Sequence, residues 1–127
     1  MNFNKVHHIA IICSDYPKSK LFYTTTLGGT IIKETYRAER NSYKLDISIA
    51  GSQIELFSFP NPPTRASNPE ACGLRHLAFE VDSVENTITE LKSKNIITEA
   101  IRTDPITNKQ FTFFRDPDDL PIEIYER

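Results

Sequence analysis

The chain has 127 residues, of which 39% are hydrophobic and 25% charged, and its formal net charge is -2. This composition is typical of one folded globular domain and argues against a disordered or fibrous protein. Lysine and arginine are scattered among acidic residues and form no basic stripe, so we expect no nucleic-acid partner.

The beginning of the chain, MNFNKVHH, has no secretory apolar segment. The longest apolar run, Ile9 to Cys13, is far shorter than the ~20 residues that a membrane-spanning helix needs. We therefore expect a cytoplasmic protein that does not enter membranes and whose cysteines are reduced.

The first half of the chain predicts the element order βαβββ, because β-branched and alternating apolar segments surround one helical segment. Ser14 or Asp15 is the expected helix cap, and Gly28 and Gly29 end the helix. The expected elements are a strand over 6–13, a helix over 16–27, and strands over 30–36, 43–49 and 53–58, with a turn at Gly51-Ser52 before the last strand.

The segment 59–72 contains four prolines and has neither periodicity, which predicts an extended linker. After it the βαβββ order is repeated. The expected elements of the second half are a strand over 74–81, a helix over 84–95, and strands over 96–101, 110–115 and 121–125. We therefore expect a single domain, residues 1–127, of two modules at about 5–58 and 73–127.

The two halves align at a fixed offset of 68 residues. His8-Ile9-Ala10-Ile11 corresponds to His76-Leu77-Ala78-Phe79, and Ile54-Glu55-Leu56-Phe57 corresponds to Ile122-Glu123-Ile124-Tyr125. Each half therefore carries one histidine and one glutamate at equivalent positions. His7 corresponds to Arg75 and not to a second histidine, so we assign it a structural role on the helix side or in solvent.

The paired polar residues share one predicted face of each module. Side chains alternate along a strand, so His8 and Glu55 lie opposite the apolar residues that a helix should cover. Any one of these residues alone is compatible with a solvated surface position. Their joint repetition predicts instead one divalent metal site formed by His8, Glu55, His76 and Glu123, with an N2O2 set suited to Zn²⁺, Ni²⁺, Co²⁺, Mn²⁺ or Fe²⁺.

The strings HHIAI, IELF, LRHLAFEV and DPDDLPIEIYE resemble the vicinal oxygen chelate superfamily, and in particular small bacterial glyoxalase I-like proteins. The resemblance covers nearly the whole chain. It implies an α+β fold in which two tandem βαβββ modules form a cupped mixed sheet with helices on the convex face. It also implies a homodimer, in which the modules close the site within one chain or across two, and it supports the four metal ligands position by position.

The resemblance further implies a lyase that isomerises the hemithioacetal of methylglyoxal and glutathione, or of another thiol, through an ene-diolate. Zinc or nickel is then the first expectation for the metal, with cobalt or manganese as alternatives. Glu123 is the expected base and Glu55 its possible partner, although the two residues could exchange roles.

Two positions depart from the glyoxalase I pattern. Ile12 stands where these enzymes have the arginine that holds glutathione, and Phe59 stands where an asparagine is typical. The other cations considered as replacements are Arg65, Arg102, Lys109 and Arg115, each of which is better explained as a solvated loop charge. A further set of aromatic residues is compatible with an apolar pocket or with ordinary core: Phe57, Phe111, Phe113, Phe114 and Tyr125.

Two other function classes remain open at this point. One is a metal-dependent oxygenase, or a thiol transferase that modifies an antibiotic, on the same fold; ring-cleaving oxygenases use two histidines and one carboxylate, which disfavours them here. The other is a non-catalytic module that binds a drug or metabolite, a class that generally lacks the metal ligands.

Overall fold

The computed structural model describes all 127 residues, and the chain divides into two compact units, Met1–Thr64 and Arg65–Arg127. The boundary lies inside the predicted linker, and residues 59–76 contain neither helix nor strand. Each unit is an α+β module with the order βαβββ, as predicted. Neither helix has the length and apolar composition needed to cross a membrane.

The first unit is a four-stranded mixed sheet with the strand order β1-β4-β3-β2. The pair β1–β4 is parallel, and the other two pairs are antiparallel. A parallel pairing of the first and last strands places the start of β1 beside the middle of β4. The elements are β1 (Ile9–Cys13), α1 (Tyr16–Leu21), β2 (Thr30–Arg37), β3 (Ser42–Ile49) and β4 (Ser52–Ser58).

The helical segment of this unit begins where the sequence predicts. Asp15 is the N-cap and accepts a hydrogen bond from the backbone N–H of Lys18. Helix α1 continues into a π-helical turn, Phe22–Thr26. Gly29 then passes so close to this turn that a Cβ atom there would lie 2.6 Å from the carbonyl oxygen of Tyr23, so the position requires glycine.

The second unit repeats this topology with the strand order β5-β8-β7-β6 and a parallel β5–β8 pair. Ser83 is the N-cap of its helix and accepts a hydrogen bond from the N–H of Asn86. The elements are β5 (Leu77–Val81), α2 (Val84–Ser93), β6 (Arg102–Thr103), β7 (Gln110–Arg115) and β8 (Pro121–Glu126).

One face of each sheet is apolar and buried, since alternate residues of the strands point to the helix side. In the first unit this face contains Ile11, Cys13, Leu45, Ile47, Ile54 and Leu56, and in the second Phe114, Ile122 and Ile124. The other face of each sheet is left for the polar residues.

Three predicted strands were placed wrongly. The strands predicted over 6–13 and 74–81 begin only at Ile9 and Leu77, so both histidines lie immediately before a strand. No strand forms over 96–101. Helix α2 ends at Ser93, Asn95 follows it with a left-handed φ of 61°, and Ile97 is 89% exposed. The segment therefore has no buried face, and the strand at this place in the module is the two-residue β6 that follows it.

The repeat contains a one-residue irregularity in its hairpins. Strands β3 and β4 are joined by Ala50 and Gly51, whose positive φ values of 48° and 73° suit a two-residue turn. Strands β7 and β8 are joined by the five residues 116–120. Asp46 pairs with Glu55, and Phe113 pairs with Glu123. The two glutamates are 68 residues apart, whereas their partners are only 67 residues apart. Strand β3 therefore corresponds to β7 at an offset of 67 and not 68.

Candidate metal centre

The first unit brings His8 and Glu55 together. Ala10 pairs with Glu55 across β1 and β4, and His8 precedes Ala10 by two residues, so all three share a face. His8 Nε2 lies 2.5 Å from Glu55 Oε2, and the Glu55 side chain is only 8% exposed. The parallel strand pairing thus produces the predicted His–Glu pair.

A lysine forms an ion pair with the second carboxylate oxygen of Glu55. Lys44 Nζ lies 2.5 Å from Glu55 Oε1 and 2.9 Å from Asp46 Oδ1, with all three residues on the same face of the sheet. The hydrogen bond to Glu55, and then that to Asp46, raises the pKa of Lys44 above its ordinary value. Glu55 therefore presents one oxygen to His8 and the other to a permanent cation.

His7 contacts the other side of the His8 ring. The two Nδ1 atoms lie 2.9 Å apart, and the rings meet edge to face. A metal ligand histidine is commonly fixed in its tautomer by a hydrogen bond at the second ring nitrogen. His7 is therefore positioned to hold the His8 imidazole with Nε2 toward Glu55, a role that goes beyond the structural one predicted.

The second unit repeats the pair in different surroundings. His76 Nε2 lies 3.0 Å from Glu123 Oε2, and Ala78 pairs with Glu123 just as Ala10 pairs with Glu55. The residue beside Glu123 on β7 is Phe113, whose ring meets that of His76 edge to face at 5.2 Å. No ion pair links Glu123 to a lysine or arginine, and the buried His76 Nδ1 has no hydrogen-bond partner.

The donor atoms present fit a divalent metal. Two ligands of one Zn²⁺, each at about 2.1 Å, lie ~3 Å apart, and the His76–Glu123 pair has this separation at 3.0 Å. The other ring nitrogen, His76 Nδ1, is buried without a hydrogen-bond partner. Burying such a polar atom costs free energy, which another interaction of the ring must offset. No group of three or more potential ligands is found, so each unit supplies two of the four predicted donors.

The sequence repeat does not identify Lys44 and Asp46 as neighbours of Glu55, because the two hairpins differ in length by one residue. The offset of 68 aligns Lys44 with Thr112, which is buried on the opposite face and donates a hydrogen bond to the carbonyl of Glu99. The register aligns Lys44 with Phe111 instead, since each pairs with the residue two beyond the glutamate.

The four cations named from the sequence have different environments. Arg102 lies 5.1 Å and 5.3 Å from the ring centroids of Phe111 and Phe113, and 3.6 Å from Glu99. The other three bond to backbone carbonyls: Arg65 to Leu74 and Arg75, Lys109 to Arg127, and Arg115 to Asp119. Only Arg102 thus has its guanidinium over the aromatic rings beside Glu123.

The aromatic residues named from the sequence divide between the two faces. Phe57 lies on the Glu55 face of its sheet, and Phe111, Phe113 and Tyr125 lie on the Glu123 face of theirs. Phe114 is 3% exposed and belongs to the core on the helix side, so it cannot line a pocket with the others.

Close relatives cover the whole chain. A Bacillus subtilis protein, the uncharacterised YwkD, is 62% identical over an alignment of 128 positions that covers 100% of both chains. The crystal structure of a glyoxalase family protein from Enterococcus faecalis has a TM-score of 0.94 and 44% identity, and it covers 99% of this chain and 100% of that one.

More distant matches were found in both sequence and structure. Human methylmalonyl-CoA epimerase is 24% identical over 103 residues, 75% of this chain and 56% of the epimerase. The fosfomycin resistance protein FosX of Listeria monocytogenes, in a crystal with Mn(II) and dihydroxypropylphosphonic acid, has a TM-score of 0.74 and 17% identity, with 98% and 90% of the chains covered.

The family model for the glyoxalase/bleomycin resistance protein/dioxygenase superfamily matches residues 5–124, a range that includes both His–Glu pairs. The match confirms the resemblance seen in the sequence. The chain belongs to the glyoxalase/bleomycin resistance protein/dioxygenase superfamily.

Proposed function

We propose that this protein is a metal-dependent enzyme that moves a proton on a carbon next to a carbonyl group. The observation that carries the proposal is the repeated contact between a histidine Nε2 and a glutamate Oε2, at 2.5 Å in the first unit and 3.0 Å in the second. One divalent cation, zinc or nickel first, would be held by His8, Glu55, His76 and Glu123. The two halves would meet within one chain or across a homodimer.

The two glutamates would have different tasks in such a reaction. Glu55, which is paired with Lys44, would act as a ligand. Glu123, which has no cationic partner, would take the proton from the substrate carbon and return it to the neighbouring carbon. A bound divalent cation would supply the stabilisation of negative charge on the substrate oxygens.

The first candidate substrate is the hemithioacetal of methylglyoxal and a thiol, whose two oxygens are adjacent. The thiol need not be glutathione, because Ile12 lies on the Glu55 face with 54% of its side chain exposed and offers no charge. A second candidate is epimerisation of a small acyl thioester. The match to methylmalonyl-CoA epimerase favours it, since inversion next to a thioester carbonyl begins with the same removal of a proton, which is then replaced on the opposite face of the same carbon.

The test is turnover by stripped full-length protein reconstituted separately with Ni²⁺, Zn²⁺, Co²⁺ and Mn²⁺. The hemithioacetals of methylglyoxal with glutathione and with 2-mercaptoethanol, and methylmalonyl-CoA, would each be supplied as substrate. Metal-dependent turnover of one of them would support the proposal and identify the reaction. Binding of metal without any turnover would discard these substrates, and failure to bind metal would favour a non-catalytic binding module.

A further inference from the structure

Arg37 lies at the end of β2, on the face of the first sheet that carries Glu55. It pairs with Ser42 across β2 and β3, and Ser42, Lys44 and Asp46 alternate along the same face. Its guanidinium carbon lies 4.8 Å from the ring centroid of Phe57 and 5.6 Å from that of Phe59. The cation therefore lies over two aromatic rings.

This guanidinium has no carboxylate partner. Its one hydrogen bond runs from NH2 to Ser42 Oγ at 2.8 Å, and its Nε is buried without a partner. Lys44 and Arg102, the other cations placed beside the two glutamates, are both engaged by carboxylates. A guanidinium has five N–H donors, so most of those on Arg37 lack a protein acceptor.

A half-buried arginine has lost part of its hydration, and here no carboxylate of the chain compensates that loss. Arg37 cannot swing to a distant carboxylate without losing its contacts with Phe57 and Phe59. Its planar fork is the group that proteins use to bind carboxylate, phosphonate and phosphate oxygens in pairs. The site is thus already arranged for an oxyanion from outside the chain.

The position relative to Glu55 limits the size of the ligand. Phe57 follows Glu55 by two residues on β4, a step of roughly 7 Å along a strand. A molecule of a few carbon atoms could therefore place two oxygens near Glu55 and an acidic group at Arg37. Phe59, which departs from the glyoxalase I pattern, gains a role here as one of the two rings that support the guanidinium.

We propose that Arg37 binds the acidic group of the substrate, and that the substrate is a small anion with a carboxylate, phosphonate or phosphate at the end away from the reacting carbon. The link to a reacting carbon rests on the proposed function. The binding of an oxyanion by Arg37 does not, because it depends only on residues of the first unit.

The first experiment uses metal-free, full-length, ¹⁵N-labelled protein, so that no step of catalysis enters the result. Succinate is titrated while the Nε–H signals of the arginine side chains are followed by NMR, and succinamide serves as the uncharged control. We expect a saturable shift of the Arg37 signal with succinate and none with succinamide. Absence of a saturable shift at Arg37 would overturn the proposal.

Variants test whether Arg37 itself carries the binding. Arg37→Met keeps the contact with the rings but removes the charge, and we expect at least tenfold weaker succinate binding. Arg37→Lys keeps the charge and the fold, and we expect an intermediate affinity. Arg40→Met, which removes a nearby exposed charge, is the matched control and should bind like the native protein. Equal affinity in the native and Arg37→Met proteins would refute the proposal.

Measurements of turnover distinguish the binding role of Arg37 from the proposed function. If a hemithioacetal is a substrate, Arg37→Met should raise KM for the adduct of the acidic thiol 3-mercaptopropionate and leave the adduct of neutral 2-mercaptoethanol unchanged. An equal rise for both adducts would count against an acidic subsite. Succinate binding at Arg37 in a protein without turnover would sustain the subsite while the assigned reaction fails.

Discussion

The two His–Glu pairs are made by the same strands of the same topology, yet their neighbours differ. Glu55 is surrounded by charge, with Lys44 and Asp46 beside it on β3. Glu123 has Phe113 at the place where Glu55 has Asp46. One carboxylate is thus paired with a cation, whereas the other lies beside an aromatic ring. The duplication has thus kept the donor atoms and allowed the environment to diverge.

The largest expected effect comes from removing each carboxylate in turn. Glu123→Gln should lower kcat by roughly 10²–10⁴-fold while metal remains bound, because the amide cannot accept the proton. Glu55→Gln should mainly weaken metal binding, since Lys44 would then face a neutral amide. Activity assays and metal analysis of both variants check the assignment. Full turnover by Glu123→Gln with metal bound would show that the base is elsewhere.

Removing the charge that distinguishes the first pair should have the next largest effect. Lys44→Met leaves Glu55 Oε1 without its partner, and metal affinity should fall by about 10–100-fold, as for other groups that orient a ligand. Competition with a chromogenic chelator measures this affinity. Lys44→Arg should recover part of the loss, and an unchanged affinity in Lys44→Met would contradict a role for Lys44 in orienting Glu55.

A smaller effect is expected from the residues that precede the two histidines. His7→Ala removes the contact at His8 Nδ1, so metal affinity should fall by less than about tenfold. Arg75→Ala changes the equivalent position of the second unit, where Arg75 pairs with Glu70 and does not contact His76 Nδ1. Chelator competition should therefore show no change for Arg75→Ala. Equal losses in both variants would remove the distinction between the pairs.

The smallest effect concerns pH. The folded protein raises the pKa of Lys44 above 10.5, because the charged form is bonded to Glu55 and Asp46. This contribution to stability is fully present below the unfolded pKa and is lost as pH rises through the folded one. The difference in free energy of unfolding between the native protein and Lys44→Met should be constant from about pH 6 to 9 and shrink above about 10.5. A difference that grows at high pH would contradict this.

Most of the fold could be predicted because alternation of apolar residues is a strong local signal. Strand β7 was predicted at its exact limits, and β4 within one residue. The segment 96–101 was mistaken for a strand because its isoleucines suit β structure, but strand formation there depends on a partner and on a buried face. Ile97 is exposed and has no such face. Its exposure depends on contacts between distant parts of the chain, which the local sequence does not reveal.

Only those site residues that recur in both halves of the chain could be predicted from the sequence. Both His–Glu contacts are present because a fixed offset of 68 applies to β1 with β5 and to β4 with β8. Lys44 and Asp46 were missed because β3 follows a different offset, which a comparison of the halves at 68 cannot reveal. Arg37 had no equivalent in the repeat, and its stacking on Phe57 and Phe59 depends on strand order.

The unequal hairpins also indicate where this chain tolerates a change of length. The single residue by which the halves differ lies in the loop 116–120, where Asp116 Oδ1 accepts hydrogen bonds from the N–H groups of Asp118 and Leu120. An inserted residue there is absorbed by the loop, and the alternation of β8 is unchanged. The same insertion between Pro121 and Glu123 would turn the carboxylate to the apolar side, because a shift of one residue exchanges the faces of a strand. Loop length is therefore free to evolve, while the spacing within the strand is not.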